Sequence, residues 1–361
     1  MGDILHALPA VTALRQAHPS WQIGWVVEPR WQPLLAASET RDQKSEIEGG
    51  CGPGTAARGG AMPGRDSAMP VVDRLHFASA REWKRRPFSP RTATEFRVLC
   101  RELRAAGYDA VLDLQGAIRS AAISCLTGCK RRIGEVLPRE WPAHWLYSER
   151  VATQGVHVVE QDLELASAVA GDILAPVEPV LPIDPDAEIW CNVQLAPSSA
   201  QSPTRPVALI TPGAGWGAKR WPPERYAAVA QGLAERGMRV LVNAGPGEEP
   251  LAAPIVATGA ASILSATLPQ LIALTRRVAL CIGGDTGPIH LASAIGRPVV
   301  GIYGPTDPSR NGPYGTRARV LRSPGSRRDH SRRSEPDPGL LTIEPEDVLR
   351  AAAELLAEER I

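Results

Sequence analysis

Residues 283–308 combine an acid, glycines and a helix start, which together can bind a charged ligand. Asp285 follows a hydrophobic run, and Pro288 stands where a helix would begin, since proline at the first helical position needs no partner for an N–H. Thr286 and Gly287 fill the turn between them. The free amides and the dipole of such a helix start attract phosphate, whereas a carboxylate accepts hydrogen bonds from sugar hydroxyls. The stretch therefore predicts a ligand that is both phosphorylated and a sugar.

A second glycine-rich turn stands close to a lysine. Gly213, Ala214 and Gly215 follow the apolar run 207–211, and Lys219 comes four residues after the turn. Backbone amides in such a turn form an anion-binding nest, and a nearby ammonium suits a diphosphate. Taken alone, a solvated loop lysine is the more ordinary interpretation, so these residues by themselves leave the role of Lys219 open.

Composition excludes several classes of protein. The chain has 361 residues, enough for two domains, and 43% of them are hydrophobic. The net charge of +1 argues against a nucleic-acid partner. We find no apolar run near the roughly 20 residues that span a bilayer, no export signal, and no zinc pattern among the six cysteines. We expect a cytoplasmic protein with reduced thiols and without a cofactor.

Apolar runs alternate with helical patterns along most of the chain. In the first half, the patterns predict helices over 3–17, 94–106, 117–126 and 159–170 and strands over 21–27 and 110–114. In the second half, they predict strands over 207–211, 239–243, 278–282 and 299–303 and helices over 222–236, 268–276, 288–295 and 345–358. This alternation is typical of parallel, doubly wound sheets.

The predicted fold class is α/β, with two doubly wound Rossmann-like domains that face each other across a cleft. We place the domains at residues 1–184 and 185–361. Residues 38–70, rich in Gly, Pro and charge, are predicted to form a disordered insertion. The proline-rich residues 175–206 are predicted to be an irregular linker, and residues 323–338 to be disordered.

Six motifs follow one another in order and cover most of the chain outside 38–70 and the tail. They are Met1–His6 with Leu8–Ala10, Asp113–Gly116 with Arg119 and Ser120, Pro212–Ala214 with Lys219–Pro222, Gly245–Glu248, Gly284–Gly287 with His290 and Leu291, and Gly304–Pro308. The set resembles the bacterial ADP-heptose:lipopolysaccharide heptosyltransferases of glycosyltransferase family nine, which have the two-domain GT-B architecture. Residues 113–120 and 139–145 look most similar to the first heptosyltransferase, which modifies the Kdo sugar next to lipid A.

The resemblance implies an inverting transfer of heptose from ADP-heptose to the Kdo of a lipid A-Kdo acceptor. Such a reaction needs a base for the acceptor hydroxyl and a counter-charge for the departing diphosphate. By resemblance, Asp3 is the base, and Lys219 stabilises the diphosphate. The implied donor-binding residues are Gly213, Ala214, Gly215, Lys219, Glu248, Asp285, Thr286, Gly287 and His290.

Each of these roles has an ordinary structural alternative. Asp3 and Glu248 both stand where a carboxylate can cap a helix. Glu249 competes with Glu248 as the acid that would accept hydrogen bonds from the nucleotide ribose. His290 lies one turn into its helix, where a histidine that serves only the packing is equally ordinary.

No loop carries the paired aspartates that bind a divalent ion in another glycosyltransferase architecture. Asp184-Pro185-Asp186 and Asp307-Pro308 are interpreted as turns. We therefore expect catalysis without a metal ion, in which Lys219 and helix amides do the work of the cation.

The resemblance places the acceptor in the amino-terminal domain. It implies that His6, Gln115 and Arg119 bind the acceptor, since an arginine pairs well with the carboxylate of Kdo or the phosphates of lipid A. The basic segment Arg81–Phe88, which contains Trp83, is expected to contact the anionic surface of the inner membrane. The alternatives are a surface arginine on a helix and a solvated loop.

The family pattern begins with a hydrophobic strand before the S-x-x-G-D loop, whereas this sequence begins within that loop at Met1. We expect a misplaced coding start, and an in-frame upstream extension would support an active enzyme. Two other functions stay open: another nucleotide-sugar transferase of the same architecture, and a nucleotide-sugar-binding protein without catalytic activity. An oxidoreductase is disfavoured because no G-x-G-x-x-G follows an early strand.

Overall fold

A computed structural model describes residues 1–36, 71–197, 205–326, 328 and 333–358 of the chain. The insertion expected at 38–70 lies outside these residues. For the description below, residues 1–184 are called the amino half and residues 185–358 the carboxyl half; this division follows our proposed domain bounds.

The amino half contains a long first helix, short strands and further helices. In chain order its elements are α1 (Gly2–Ala17), β1 (Gly24–Val27), β2 (Arg74–Phe77), α2 (Ala80–Arg85), α3 (Pro90–Ala106), β3 (Ala110–Leu112), α4 (Ile118–Leu126), β4 (Arg131–Glu135), β5 (Glu149–Val151) and α5 (Val158–Ala170). Two parallel sheets form within the described residues, one from β1 and β2 and the other in the order β3-β4-β5.

The carboxyl half alternates strands with helices, as the apolar runs predicted. Its elements are α6 (Pro185–Leu195), β6 (Val207–Thr211), α7 (Pro223–Glu235), β7 (Arg239–Asn243), α8 (Glu249–Val256), β8 (Ala261–Leu264), α9 (Leu268–Thr275), β9 (Leu280–Gly284), α10 (Gly287–Ala294), β10 (Val299–Tyr303), α11 (Pro308–Asn311), β11 (Ala318–Arg322) and α12 (Pro345–Glu358).

The six strands of the carboxyl half form one parallel sheet in the order β11-β10-β9-β6-β7-β8. Every residue of β6, β9 and β10 is buried, because helices cover both faces of a parallel sheet and its central strands become continuous apolar runs. Side chains of α7 and α12 pack on one face, and side chains of α9 and α10 pack on the other. The sheet is therefore doubly wound.

Helix α1 packs against both halves. It lies along α5 of the amino half through Ala10, Leu14 and Leu163. Its Leu5 and Leu8 belong to the same buried cluster as the side chains of α10 in the carboxyl half. The position of α1 therefore depends on how the two halves meet.

Two predictions about irregular segments are wrong. The linker expected over 175–206 contains helix α6, in which the Asp184 Oδ1 accepts a hydrogen bond from the Ala187 N–H at 2.9 Å and Pro185 occupies the first turn. Asp307 caps α11 in the same way, through the Ser309 N–H at 3.0 Å. Both Asp-Pro pairs interpreted as turns are thus helix starts.

Disorder was also predicted for 323–338, and the described part of that segment contradicts it. Ser326 and Asp337 are buried, and the Ser326 hydroxyl donates to Asp337 Oδ1 at 3.0 Å. The returning chain pairs with the loop that carries Lys219: the Ala218 N–H donates to the Arg333 carbonyl at 3.0 Å, and the Asp337 N–H donates to the Ala218 carbonyl at 3.1 Å. Disorder was predicted from the arginine- and serine-rich composition, which carries no information about these tertiary contacts.

Several element ends also differ from prediction. The strand expected over 21–27 begins at Gly24, because Trp21 instead stacks on His18 with ring centroids 3.9 Å apart. The strand expected over 110–114 ends at Leu112, where the Asp113 carboxylate takes up the backbone N–H groups of the following turn. A capped helix start at Pro90 extends the helix predicted over 94–106.

Candidate active site

The predicted donor-binding segments meet at one edge of the large sheet. The Gly213–Gly215 turn follows β6, Glu248 follows β7, and Asp285 follows β9. These three strands are neighbours in the sheet, in the order β9-β6-β7. Because the strands are parallel, their carboxyl ends lie together, as the open edge of an α/β sheet requires.

The first glycine turn lies directly against Glu248. A Cβ at position 213 would stand 2.1 Å from Glu248 Oε1, so a side chain there would displace the carboxylate from its observed position. The other carboxylate oxygen, Oε2, accepts a hydrogen bond from the Gly245 N–H at 2.9 Å. The Glu248 side chain therefore accepts a hydrogen bond from the turn before it and does not cap helix α8. Glu249 is the first residue of that helix and is exposed.

Lys219, Asp285 and His290 form a buried charged cluster. The Lys219 Nζ is ion-paired with Asp285 Oδ2, and the His290 Nε2 lies 3.0 Å from Asp285 Oδ1. The three side chains are 10%, 8% and 7% exposed, respectively. Burial raises the pKa of Asp285, but the hydrogen bond from His290 and the charge of Lys219 outweigh burial, so the net pKa lies below the ordinary value.

An aromatic ring, which the sequence did not single out, also contacts the lysine. The Lys219 Nζ lies 4.1 Å from the ring centroid of Trp216, within the range of a cation–π interaction. Lys219 is the last residue of a short 3-10 helix, Gly217–Lys219, and backbone hydrogen bonds of Ala218 join this helix to the returning segment near Asp337. The Lys219 ammonium thus lies between the Trp216 ring and the Asp285 carboxylate, at the carboxyl-terminal edge of the sheet.

Thr286 and Gly287 begin α10, as predicted. Thr286 is the N-cap residue, and its hydroxyl has no hydrogen-bond partner among the described residues. A Cβ at Gly287 would lie 2.8 Å from the Met1 Sδ, and a Cβ at Gly2 would lie 3.2 Å from the His290 Cδ2. The start of α1 therefore touches the start of α10.

Asp3 lies in the first turn of α1 with 56% of its side chain exposed. The Gln115 amide Nε2 donates to Asp3 Oδ2 at 2.9 Å, and the Arg139 Nη1 stands 3.6 Å from the same oxygen. Gln115 was predicted for this region; Arg139 was not assigned a role, although it belongs to the 139–145 segment. The predicted Arg119 lies exposed on α4.

The buried Asp113 orders the loop that carries Gln115. Its Oδ1 accepts the N–H groups of Gln115 at 3.0 Å and Gly116 at 3.2 Å, and its Oδ2 accepts the hydroxyls of Ser120 at 2.9 Å and Tyr147 at 2.7 Å. Burial, with the charge of Asp113, raises the pKa of Tyr147. The motif at Asp113 was recognised from the sequence, but Tyr147 was not predicted to contact it, because it comes 34 residues later in the chain.

His6 contacts the helix that begins at the predicted donor site, α10. Its Nε2 stands 3.2 Å from the His290 Nδ1, and its ring meets the ring of His157 edge to face with centroids 5.7 Å apart. Burial, and then the neighbouring His290 and His157, lower the pKa of His6. Acceptor binding by His6 stays a prediction.

Within the described residues, no group of three or more His, Cys, Asp or Glu side chains is arranged to hold a metal ion. Across the same part of the chain, no helix combines the length and the hydrophobicity needed to cross a membrane.

The sequence and the fold are similar to those of known glycosyltransferases. Residues 96–338 match the sequence model of glycosyltransferase family 9 (heptosyltransferase). Lipopolysaccharide heptosyltransferase 1 of Escherichia coli O18:K1:H7 is 28% identical over 333 residues, which cover 90% of each chain. Its counterpart in Pseudomonas aeruginosa is 27% identical, covering 87% of this chain and 79% of that protein.

Solved structures show the same architecture. The E. coli heptosyltransferase WaaC with ADP matches with a TM-score of 0.73 and 25% identity, covering 98% of this chain and 97% of that one. A family 9 glycosyl transferase from Veillonella parvula, 21% identical, matches with a TM-score of 0.76 over 99% of this chain and 95% of its own.

These matches define the class of protein as a glycosyltransferase with the GT-B fold. The chain belongs to glycosyltransferase family 9, the heptosyltransferases. The predicted fold class, the predicted enzyme class and the resemblance to the first heptosyltransferase are all confirmed.

Proposed function

We propose that this enzyme transfers heptose from ADP-heptose, with inversion, to the Kdo of a lipid A-Kdo acceptor in the lipopolysaccharide inner core. Relatives named as lipopolysaccharide heptosyltransferases, and one named as a lipopolysaccharide core heptosyltransferase, support this acceptor class. One similar solved structure, of WaaC, contains ADP-2-deoxy-2-fluoro heptose. The amino half, residues 1–184, would bind the acceptor, and residues 185–361 would bind the donor.

One observation carries this proposal: the exposed carboxylate of Asp3 stands on a helix start that touches the helix start of the donor site. Asp3 faces Gln115 and Arg139 of the amino half. An acceptor hydroxyl held by those two side chains would meet a base on one side and the anomeric carbon on the other. The base would remove the hydroxyl proton as the oxygen attacks.

The donor contacts follow from the geometry of the sheet edge. Glu248 would accept hydrogen bonds from the ribose hydroxyls, and the Gly213–Gly215 amides with the α10 start would bind the diphosphate. Lys219 would leave Asp285 for the diphosphate as negative charge develops on the leaving group. Asp285, held ionised by His290, would then accept hydrogen bonds from the sugar.

A peripheral contact with the cytoplasmic face of the inner membrane belongs to the same proposal. Phe88 is 98% exposed at the end of the basic segment predicted for this contact, whereas Trp83 donates its indole N–H to Glu95 at 2.9 Å and packs on Phe96. Two further exposed aromatic side chains follow Arg139: Trp141, which is 52% exposed, and Trp145, which is 67% exposed. Such rings favour the membrane interface, and the adjacent arginines favour anionic headgroups.

The test is a pair of measurements on the full chain and on its Asp3→Asn variant. Calorimetry with ADP, UDP and GDP should show binding of ADP with the highest affinity, equal in both proteins. Incubation with ADP-heptose and Kdo-lipid A should give a heptosylated product only with Asp3 present, and NMR of its anomeric proton should show inversion. Tighter binding of UDP or GDP would favour another nucleotide-sugar transferase. Binding of ADP without turnover by the unchanged chain would favour a protein without catalytic activity.

A further inference from the structure

A line of polar contacts runs from the donor site across the junction of the two halves. Asp285 contacts His290 at 3.0 Å, and His290 contacts His6 at 3.2 Å. His290 belongs to α10 of the carboxyl half, and His6 belongs to α1 of the amino-half bundle. The contact therefore joins the helix that begins at the donor site to the helix that carries Asp3.

The donor and acceptor roles in this line follow from Asp285. An ionised carboxylate only accepts, so the His290 Nε2 must donate its proton to Asp285 Oδ1. With that proton on Nε2, the His290 Nδ1 can accept the Nε2–H of His6 at 3.2 Å. Each bond in the line is thereby satisfied by one proton. A replacement for His6 must place a polar nitrogen where Nε2 lies, which the amide of glutamine can do and alanine cannot.

A second histidine on the same junction provides a comparison. The His157 Nδ1 accepts the Val159 N–H at 3.2 Å, so its Nε2–H donates to the Gly312 carbonyl at 3.1 Å. Its ring stacks on Tyr314 with centroids 4.7 Å apart. His157 thus also links the two halves, but its hydrogen bonds end on backbone groups, and its ring meets His6 only edge to face.

We propose that His6 is a positioning residue for heptosyl transfer: its hydrogen bond to His290 fixes α1 against α10 and so sets the place of Asp3 relative to the donor. This inference rests on the proposed function. It gives His6 a role in positioning α1, whereas the sequence predicted that His6 binds the acceptor. Asp3 and His6 are three positions apart, so they lie on the same side of the helix and move together. A misplacement of about 1 Å at reacting atoms lowers the rate about 100-fold.

The test compares His6→Ala, His6→Gln and His157→Ala in the full chain. His6→Ala should lower kcat about 10- to 100-fold while the Kd for ADP and the KM for ADP-heptose change less than about threefold. The reason is that the ion pair of Asp285 with Lys219 does not involve His6. His6→Gln should recover kcat to within about threefold of the unchanged enzyme. His157→Ala should also stay within about threefold.

Hydrogen exchange of the ligand-free proteins supplies a readout that needs no turnover. Exchange in the first two turns of α1, residues 2–8, should be faster in His6→Ala, by about tenfold, and unchanged in His6→Gln. Equal damage in the alanine and glutamine variants, or an equal loss of kcat in His157→Ala, would overturn the proposal. If the exchange result holds while Asp3→Asn retains activity, the positioning of α1 stands and the assignment of Asp3 as base fails.

Discussion

Gly213→Ala tests whether ADP binding depends on the Glu248 carboxylate lying directly against the glycine turn. The new methyl group would lie 2.1 Å from Oε1 and 2.3 Å from Cδ of Glu248, whereas ordinary contacts begin near 3.4 Å. The carboxylate must therefore move by more than about 1 Å. That movement breaks its 2.9 Å hydrogen bond with the Gly245 N–H and withdraws the carboxylate from the position proposed for the ribose contact.

The expected loss can be worked out from one charged hydrogen bond. Such a bond contributes about 1.5–3 kcal/mol, which corresponds to about 10- to 150-fold in the Kd for ADP. Calorimetry with ADP measures it directly. Gly215→Ala is the matched control, because a Cβ there has no heavy atom within 4 Å, and its Kd should stay within about twofold of the unchanged protein.

A third variant separates Glu248 from the turn itself. Glu248→Ala should lose as much affinity as Gly213→Ala, and the double variant should lose no more than either, because both changes remove the same contact. Unchanged ADP binding by Gly213→Ala would refute the reasoning. An equal loss in Gly215→Ala would show that the turn, and not the carboxylate, determines affinity.

Three further predictions concern buried charges. Lys219→Met should lower kcat by about 100- to 1,000-fold and weaken ADP binding, because Asp285 loses its cation and the diphosphate loses its counter-charge; steady-state turnover equal to that of the unchanged enzyme would contradict this. Burial raises the pKa of Asp162 well above its ordinary value, so the group stabilises the fold at low pH, and this stabilisation is lost as the pH rises through the folded-state pKa. At pH 8, Asp162→Asn should therefore gain about 1.4 kcal/mol in the free energy of unfolding for each unit by which the pKa of Asp162 is raised. In urea titrations, this gain in stability should shrink as the pH is lowered toward 4. A gain that grows on acidification would disprove the prediction. Tyr147→Phe removes the 2.7 Å hydrogen bond to Asp113 and should cost about 1.5–3 kcal/mol in urea unfolding; a loss below about 0.5 kcal/mol would show that the bond is dispensable.

The sequence alone determined the carboxyl half well. Four of its strands and four of its helices were predicted near their observed positions, including the helix at Pro345–Glu358. Their apolar runs are long because both faces of the sheet are covered, and Gly and Pro mark the turns. Helix α6 was missed because its short apolar pattern lies among prolines, although Asp184 and Pro185 are a capped start.

The amino half was harder to predict for a physical reason. Its described strands have three to five residues and are mostly half-buried, so neither a continuous apolar run nor a clear alternation distinguishes them. β2, β4 and β5 consequently had no prediction. The chemical motif at Asp113 was found, but the turn that ends β3 early depends on Tyr147 and Ser120, which approach only in the folded chain.

What the sequence determined by itself is which residues stand at the ends of parallel strands, and hence that Gly213, Glu248 and Asp285 share an edge. That rule needs only that the strands are parallel and belong to one sheet. Tertiary structure alone decided the contacts between helices and across the halves: Asp3 with Gln115, 112 residues apart, and His6 with His290, 284 residues apart. Such pairs depend on how α1 packs on α10 and on side-chain rotamers, and neither leaves a local pattern in the chain.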